Sequence, residues 1–380
     1  MRPGLLAYWI FLLARGDDVS SLREAAKKDG DSSTPIDGNS LPYISVIIPC
    51  RNEVRHIERC LNSVLQNEYP ADRLEVFVVD GMSEDGTRKI VNEYSEKHLF
   101  IRLLDNPKQL TPCALNIGVL QSKGAVIFRI DAHARIQEDC LIKSVQALER
   151  YGADNVGGVM KTIPSGEGLL AEAIVASLSH PFGVGNSYFR TNSKELRWVD
   201  TVFGGCYRRE VFHGIGLFNE KLARSQDMEF NLRLKKAGGK ILFDPEIVSY
   251  YYADSDFMIF CRRTSINGLW AVLPFLYSPI MPVAWRHLVP LAFFLVLLAS
   301  FLLLSLWSMG IWVLAVVGSV YLIANFYACA QIALRNKDAR LLFVMPWVFA
   351  ALHIHYGLGS FWGLVKLLTH KLKIFRLLSF

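Results

Sequence analysis

Three carboxylates and a histidine stand where an enzyme could use them. In "VIFRIDAHARIQ" an apolar run from Val126 ends at Asp131, followed by Ala132 and His133. A carboxylate oxygen and an imidazole nitrogen two residues apart, just past a strand, can turn the same way. The pair suits Mn2+ or Mg2+, with Mn2+ the more tolerant of nitrogen, and leaves coordination positions open for a diphosphate. The same residues also read as a polar turn with a surface histidine. Asp80 closes a second apolar run, "LEVFVVD", where it can accept hydrogen bonds from a nucleobase or a ribose. The "GMSEDGT" that follows has glycines, hydroxyls and Asp85, but neither G-x-G-x-x-G nor G-K-[ST]. Ser83, Asp85 and Thr87 can each cap the next helix, and for Ser83 and Thr87 the cap is the expected role. Asp227, near a helix start, can be a general base for a sugar hydroxyl or a charge complementing the helix dipole. Glu229 is its close competitor. His180 and His213 read as structural or surface histidines.

These residues need elements to position them. "YISVIIP" (43–49), "LEVFVVD" (74–80), "IRLL" (101–104) and "AVIFRI" (125–130) have the length and β-branched character of buried parallel strands. Between them the spacing predicts helices from residue 57, over 87–97, from Thr111 and Pro112 to about Gln121, and over 138–149. Strand–helix alternation builds a doubly wound, mainly parallel α/β sheet, whose ligands sit beyond the carboxyl ends of the strands. Arg51, Asn52 and Glu53, then Asp80, Ser83 and Asp85, then Asp131 and His133 should therefore share one crevice. Carboxylates at three strand ends repel one another unless a cation or a donor-rich ligand relieves them. Farther on, 180–190 reads as a loop. "WVDTVFGGCYRREVF" (198–212) reads as strand, glycine pair and short helix, and 225–239 as a helix with Phe230 and Leu234 inward.

The chain has 380 residues, 52% of them hydrophobic, and no charged residue from Leu288 to Leu334. A bilayer crossing takes about 20 apolar residues, so this run supplies two, with a turn at Trp307–Gly310. Residues 341–365 are either a third crossing or a re-entrant hairpin. Residues 256–286 are aromatic and Pro-punctuated, as expected of interfacial helices at the membrane surface. "LLAYWIFLLA" (5–14) is short for a span and reads as a surface anchor or tail, and 15–40 as a linker. The net charge of +6 gathers beside the apolar runs, at Arg335, Lys337 and Arg340 and at the C-terminus. That pattern points to a cytoplasmic membrane face and against nucleic acid as a partner. Seven scattered cysteines without a C-x-x-C pair indicate reduced thiols.

"ISVIIPCRNEVRHIERCLNSVLQNEYPADRLEVFVVDGMSEDGT" resembles the opening of family 2 glycosyltransferases, which have the GT-A fold. Within them, "NPKQLTPCALNIG", "RIDAHARI", "HPFGVGN", "VDTVFGG", "SQDMEFNLRLKKAGG" and "HIHYGLGSFWGLVK" resemble the succinoglycan-type exopolysaccharide glucosyltransferases, over residues 43 to 366. The resemblance implies a GT-A domain over 41–255 and a membrane domain over 287–380. It implies that Pro49, Arg51, Glu53, Asp80, Asp85 and Asp131, with Lys108 and Asn116, hold the nucleotide sugar, a UDP-sugar. Asp131 corresponds to the first carboxylate of the family's D-x-D metal motif, with His133 in place of the second. Asp227 corresponds to the catalytic base, with Gln226 where Glu is common. Gly204, Gly205 and Trp270 fall on the acceptor side. The Gln-x-x-Arg-Trp motif of processive synthases is not intact.

The function expected is inverting, metal-dependent transfer of one hexose, glucose by resemblance, to a lipid-linked saccharide at the membrane lipid surface. Asp227 would accept the proton of the attacking hydroxyl. A polyprenyl-phosphate sugar synthase is the rival enzyme, and an inactive nucleotide-binding scaffold the rival of another class.

Overall fold

The computed structural model describes residues 41–278, 284–306 and 309–378. The apolar N-terminal stretch, the linker, and Trp307 and Ser308 of the expected turn lie outside the described residues.

The four expected strands form with ends within one residue of the reading: β1 (Ile44–Cys50), β2 (Leu74–Asp80), β3 (Ile101–Asp105) and β4 (Val126–Arg129). β1 lies between β2 and β4, parallel to both, and β3 extends the parallel set. Helices α1 (Ile57–Leu65), α2 (Thr87–Lys97), α3 (Thr111–Gln121) and α4 (Cys140–Tyr151) alternate with them. Both faces of β1 and β2 are covered, which is why their sequences are almost continuously apolar. Ile48, Val76 and Val78 pack on one face with α1 and α4, and Ile47, Phe77 and Val79 on the other with α3. Pro49, which has no N–H to donate, lies beyond Ile47↔Arg129, where the β4 ladder stops.

The second half closes a curled, mixed sheet of nine strands. It adds β5 (Ala134–Ile136), β6 (Asn155–Pro164), β7 (Arg197–Trp198), β8 (Cys206–Arg208) and β9 (Ile241–Ala253). The order is β3-β2-β1-β4-β8-β6-β9-β5, with β7 paired to β9. Helix α5 (Leu169–Ser177) follows β6, and a single turn, α6 (Pro181–Val184), forms within the stretch read as a loop. The His180 Nδ1 caps that turn by accepting from the Phe182 N–H at 3.2 Å. Helix α7 (Arg209–Ile215) follows β8, and α8 (Gln226–Lys236) buries Phe230 and Leu234 as expected.

Beyond the sheet, α9 (Phe257–Val272) leads to α10 (Val289–Leu306), α11 (Met309–Asn336) and α12 (Leu341–Leu378). Three helices, Trp285–Leu304, Gly310–Asn336 and Leu341–His370, are long and apolar enough to cross a membrane. Residues 341–378 form one unbroken helix, not a hairpin. Pro346 falls in its second turn, where it removes one hydrogen bond. Its glycines, which taken alone would suggest a break, are seats for neighbours: a Cβ on Gly359 would stand 1.9 Å from the Ser265 carbonyl oxygen of α9, and one on Gly363 2.9 Å from that of Leu269. In return, a Cβ on Gly268 would stand 2.0 Å from the Tyr356 carbonyl oxygen, so α9 and α12 touch backbone to backbone. Phe182 packs edge-on to Phe349 and His353, and His353 Nε2 bonds the Phe182 carbonyl at 2.9 Å, seating α6 on α12. His180 also reaches Gln331 of α11.

Candidate active site

Two loops at the carboxyl ends of β1 and β2 are zipped into one unit. The Asn52 N–H donates to Ser83 Oγ at 2.8 Å, the Glu53 N–H to Thr87 Oγ1 at 2.8 Å, and the Val54 N–H to Asp85 Oδ2 at 3.0 Å. The Glu84 N–H returns a bond to Asn52 Oδ1 at 3.1 Å. The cap roles read for Ser83 and Thr87 are therefore corrected: α2 has Gly86 at its N-cap and no side-chain cap, and both hydroxyls hold the neighbouring loop. Asp85 additionally accepts from the Thr87 N–H and hydroxyl. Gly81 lets the loops close, since a Cβ there would meet the Arg51 Cβ at 3.1 Å.

Asp80 is fully buried. It accepts from the Ser83 N–H at 2.9 Å, the Ser83 hydroxyl at 2.5 Å, Arg88 Nη1 at 2.8 Å and the Cys50 thiol at 3.5 Å. Burial alone would raise its pKa, but these donors outweigh burial and hold it below the ordinary carboxylate value. Asp80 thus sets the loop and does not face the crevice. Lys108 pairs with Glu220 at 2.5 Å, and Asn116 bonds both the Phe218 backbone and Glu220. These two latch α3 and the loop before it to residues 218–220, and the structure does not bring them onto the crevice carboxylates.

The end of β4 gathers charged side chains. Asp131 Oδ1 accepts from Arg129 Nη2 at 2.9 Å, and Arg129 Nη1 lies 3.6 Å from Asp227 Oδ2. The Arg129 side chain is 7% exposed, against 20% for Asp131 and 32% for Asp227. Burial works against its charge, but Asp131 and Asp227 more than compensate and raise its pKa. For Asp131, burial pushes the carboxyl up, and Arg129 and His133 push it further down. Reading the sequence missed Arg129. The available signal was a charge inside an apolar strand, which requires a partner.

Gly204 and Gly205 serve this same arginine. Their φ values are 67° and 109°, the Gly205 carbonyl accepts from the Arg129 N–H at 2.9 Å, and a Cβ on Gly204 would stand 2.7 Å from the Arg129 carbonyl oxygen.

His133 Nδ1 bonds Glu53 Oε1 at 2.9 Å, and its ring stands edge-on to Tyr251 at 5.0 Å. Burial disfavours its charge, but the Glu53 hydrogen bond and the Asp131 charge prevail, and its pKa rises above the ordinary imidazole value. A carboxylate on one ring nitrogen is the usual brace for an imidazole that ligates through the other. His133 Nε2 has no hydrogen bond among the described residues, so it and Asp131 fit a divalent cation. Among the described residues no group of three His, Cys, Asp or Glu side chains is set to hold a metal, so further ligands would come from a bound molecule.

Asp227 is the second residue of α8, with Oδ1 accepting from the Met228 N–H at 2.9 Å. Its competitor Glu229 is 3% exposed and engaged by Arg233 at 2.9 Å, and Arg233 also bonds the Ile215 and Leu217 carbonyls. Glu229 is therefore structural, while Asp227 stays open. Just before α8, Arg224 Nη1 bonds Asn267 Oδ1 at 2.5 Å and the Ser225 hydroxyl bonds the Trp270 carbonyl at 3.1 Å. Helix α9 thus ties the Asp227 end of α8 to α12.

Comparison with known proteins agrees with this architecture. The model of "Glycosyl transferase family 2" matches residues 45–216. A Methanococcus voltae relative, dolichyl N-acetyl-alpha-D-glucosaminyl phosphate 3-beta-D-2,3-diacetamido-2,3-dideoxy-beta-D-glucuronosyltransferase, is 28% identical over 85% of this chain and 98% of its own. Glycosyltransferase AglE of Haloferax volcanii is 30% identical over 57% of this chain and 68% of its own. Succinoglycan biosynthesis protein ExoA of Rhizobium meliloti is 28% identical over 72% and 83%. Among solved structures, mannosyltransferase PcManGT of Pyrobaculum calidifontis, in complex with GDP-Man and Mn2+, covers 90% of this chain and 94% of its own, with a TM-score of 0.54 at 18% identity. That likeness gives the fold as GT-A. With the strand order, the zipped loops and the Asp-x-His strand end, these matches place the chain in glycosyltransferase family 2.

Proposed function

We propose that the chain moves a hexose, glucose in our reading, from a UDP-sugar to a lipid-linked saccharide, with inversion at the anomeric carbon. One observation carries this reading: a buried Arg129 links Asp131 to Asp227 while Glu53 braces His133. Mn2+ or Mg2+ on Asp131 and His133 Nε2 would supply positive charge for the leaving diphosphate. Asp227, open where Glu229 is engaged, accepts the proton of the attacking acceptor hydroxyl. Pro49 at the end of β1 and the zipped loops, with Arg51, Glu53 and Asp85 on them and Asp80 fixing them beneath, position the nucleotide and lower the entropic part of the barrier. Lys108 and Asn116 would reach the donor only by opening their latch to Glu220.

The acceptor reading is supported by the Methanococcus relative, named for action on a dolichyl-phosphate-linked sugar, and by the Rhizobium relative, named for succinoglycan biosynthesis. It is supported too by the link from Asp227 through Ser225 and Trp270 to the apolar helices. A cytoplasmic catalytic domain is supported by Arg335, Lys337 and Arg340. They lie at the end of α11 and in the turn to α12, close to where α11 meets His180 of the catalytic domain.

The test is nucleotide release from several nucleotide sugars, with and without Mn2+, using acceptors with and without a terminal sugar. Release that requires Mn2+ and a sugar-terminated lipid supports the proposal. Transfer to polyprenyl phosphate alone favours the synthase, and absence of any turnover favours the scaffold.

A further inference from the structure

A polar cleft of about 820 Å³ opens between α1 and the β5–β9 ribbon. It shares no lining residue with the crevice carboxylates. Successive strand residues point to opposite faces. Accordingly Tyr251 turns to His133, while Tyr250 lines the cleft. Arg55, Arg59, Arg135 and Lys161 also line it, facing only two carboxylates, Glu58 and Glu138, so two positive charges are in excess. None of the four cations is in an ion pair among the described residues, and the Arg135 Nε is buried without a hydrogen-bond partner.

The cations are held by something other than counter-charge. Arg135 lies 4.0 Å from the Tyr250 ring centroid, Lys161 Nζ 5.6 Å from the same ring, and Arg59 4.3 Å from the Tyr252 ring. Stacking fixes a guanidinium in place while leaving its N–H edge free. Several such edges converging on one cleft suit an anion with several acceptor oxygens better than a single carboxylate.

Position narrows the source. Lys161 pairs with Tyr250 three residues before Pro164 pairs with Ala253. At a rise of about 3.3 Å per residue, the cleft lies ~10 Å from the ends of β6 and β9, which lead into α5 and α9 against α12. We propose that this cleft is a second anion site, separate from the donor crevice, that takes a phosphate group presented at the membrane surface. Its charge and shape stand without the glycosyl-transfer reading; only its depth relative to the bilayer uses the three apolar helices.

Full-length protein in detergent and EDTA is titrated with dioctanoyl phosphatidate, with inorganic pyrophosphate and with dioctanoyl phosphatidylcholine. Wild type is compared with an Arg55→Gln, Lys161→Gln double variant, both positions being exposed and so tolerant of change. We expect phosphatidate to bind wild type about tenfold or more tightly than the variant, while phosphatidylcholine does not distinguish them. If pyrophosphate behaves like phosphatidate, the phosphate alone is recognised; if only phosphatidate discriminates, the lipid form is required. Equal affinity of wild type and variant for both anions overturns the proposal, as does failure of both to bind wild type. Sugar transfer by the variant stays at the wild-type level in either supporting case, so failure of the cleft and failure of the catalytic reading are separable.

Discussion

The guanidinium of Arg129 lies 2.9 Å from Asp131 and 3.6 Å from Asp227, joining the end of a β-strand to the first turn of a helix almost a hundred residues later. No ligand is needed to hold the two carboxylates near each other, because a buried cation already does so. Arg129→Lys keeps the charge but replaces a planar fork with a point donor, which cannot serve both carboxylates. Transfer should fall at least tenfold. Arg129→Met should cost about 3 kcal/mol of stability as well, since two carboxylates then face each other without compensation. Activity and thermal denaturation of the two variants check this; wild-type activity in Arg129→Lys would refute the bridging role.

Glu53 braces His133 through Nδ1, and Glu53→Gln weakens that brace while keeping its shape. The loss of an outer-shell carboxylate typically weakens metal binding by about 10–100-fold. Titrating Mn2+ should therefore show a raised requirement, with activity largely restored at saturating metal. An unchanged Mn2+ requirement would remove Glu53 from this role.

Much of this was legible in the sequence. The four parallel strands were, because a strand buried on both faces must be apolar along its length. So was the gathering of Arg51–Glu53, Ser83–Asp85 and Asp131–His133, because parallel strands end on one side, although Asp80 turns beneath its loop and away from the crevice. Arg129 was not legible, because its meaning depends on Asp227, and no local pattern relates the two. Ser83 and Thr87 were misread as caps, because a hydroxyl before a helix looks the same whether it bonds its own helix or a neighbouring loop. Their partners, Asn52 and Glu53, lie about thirty residues away in the chain. The continuity of α12 was hidden for a related reason. Its glycines suggest a break until α9 is seen pressed against them.

Asp80 should govern the acid limb of stability. Its folded pKa lies below the unfolded value, so the stabilisation is fully present above about pH 4 and is lost as pH falls through the folded value. Asp80→Asn should lower stability at neutral pH by about 2 kcal/mol and flatten the decline on acidification. Denaturation midpoints across the acid range check the sign; a variant that loses stability on acidification as steeply as wild type would contradict it.

Gly359→Leu should push α9 off α12, since even a Cβ meets the Ser265 carbonyl oxygen at 1.9 Å. Overpacking of this kind costs about 1–3 kcal/mol. Because α9 holds Ser225 and Arg224, transfer should fall while nucleotide affinity, set by the loops after β1 and β2, stays near wild type. Equal losses in both would show that the helix pair supports the whole domain and not the α8 end.

In the proposed mechanism Asp227, and not Glu229, takes the acceptor proton. Asp227→Asn removes the base and keeps its size, and general-base catalysis is worth about 10²–10⁴ in rate. Measured in membranes with a cleavable donor and a lipid-linked acceptor, transfer by Asp227→Asn should fall at least a hundredfold with donor binding retained. Transfer near the wild-type rate would exclude Asp227 as the base.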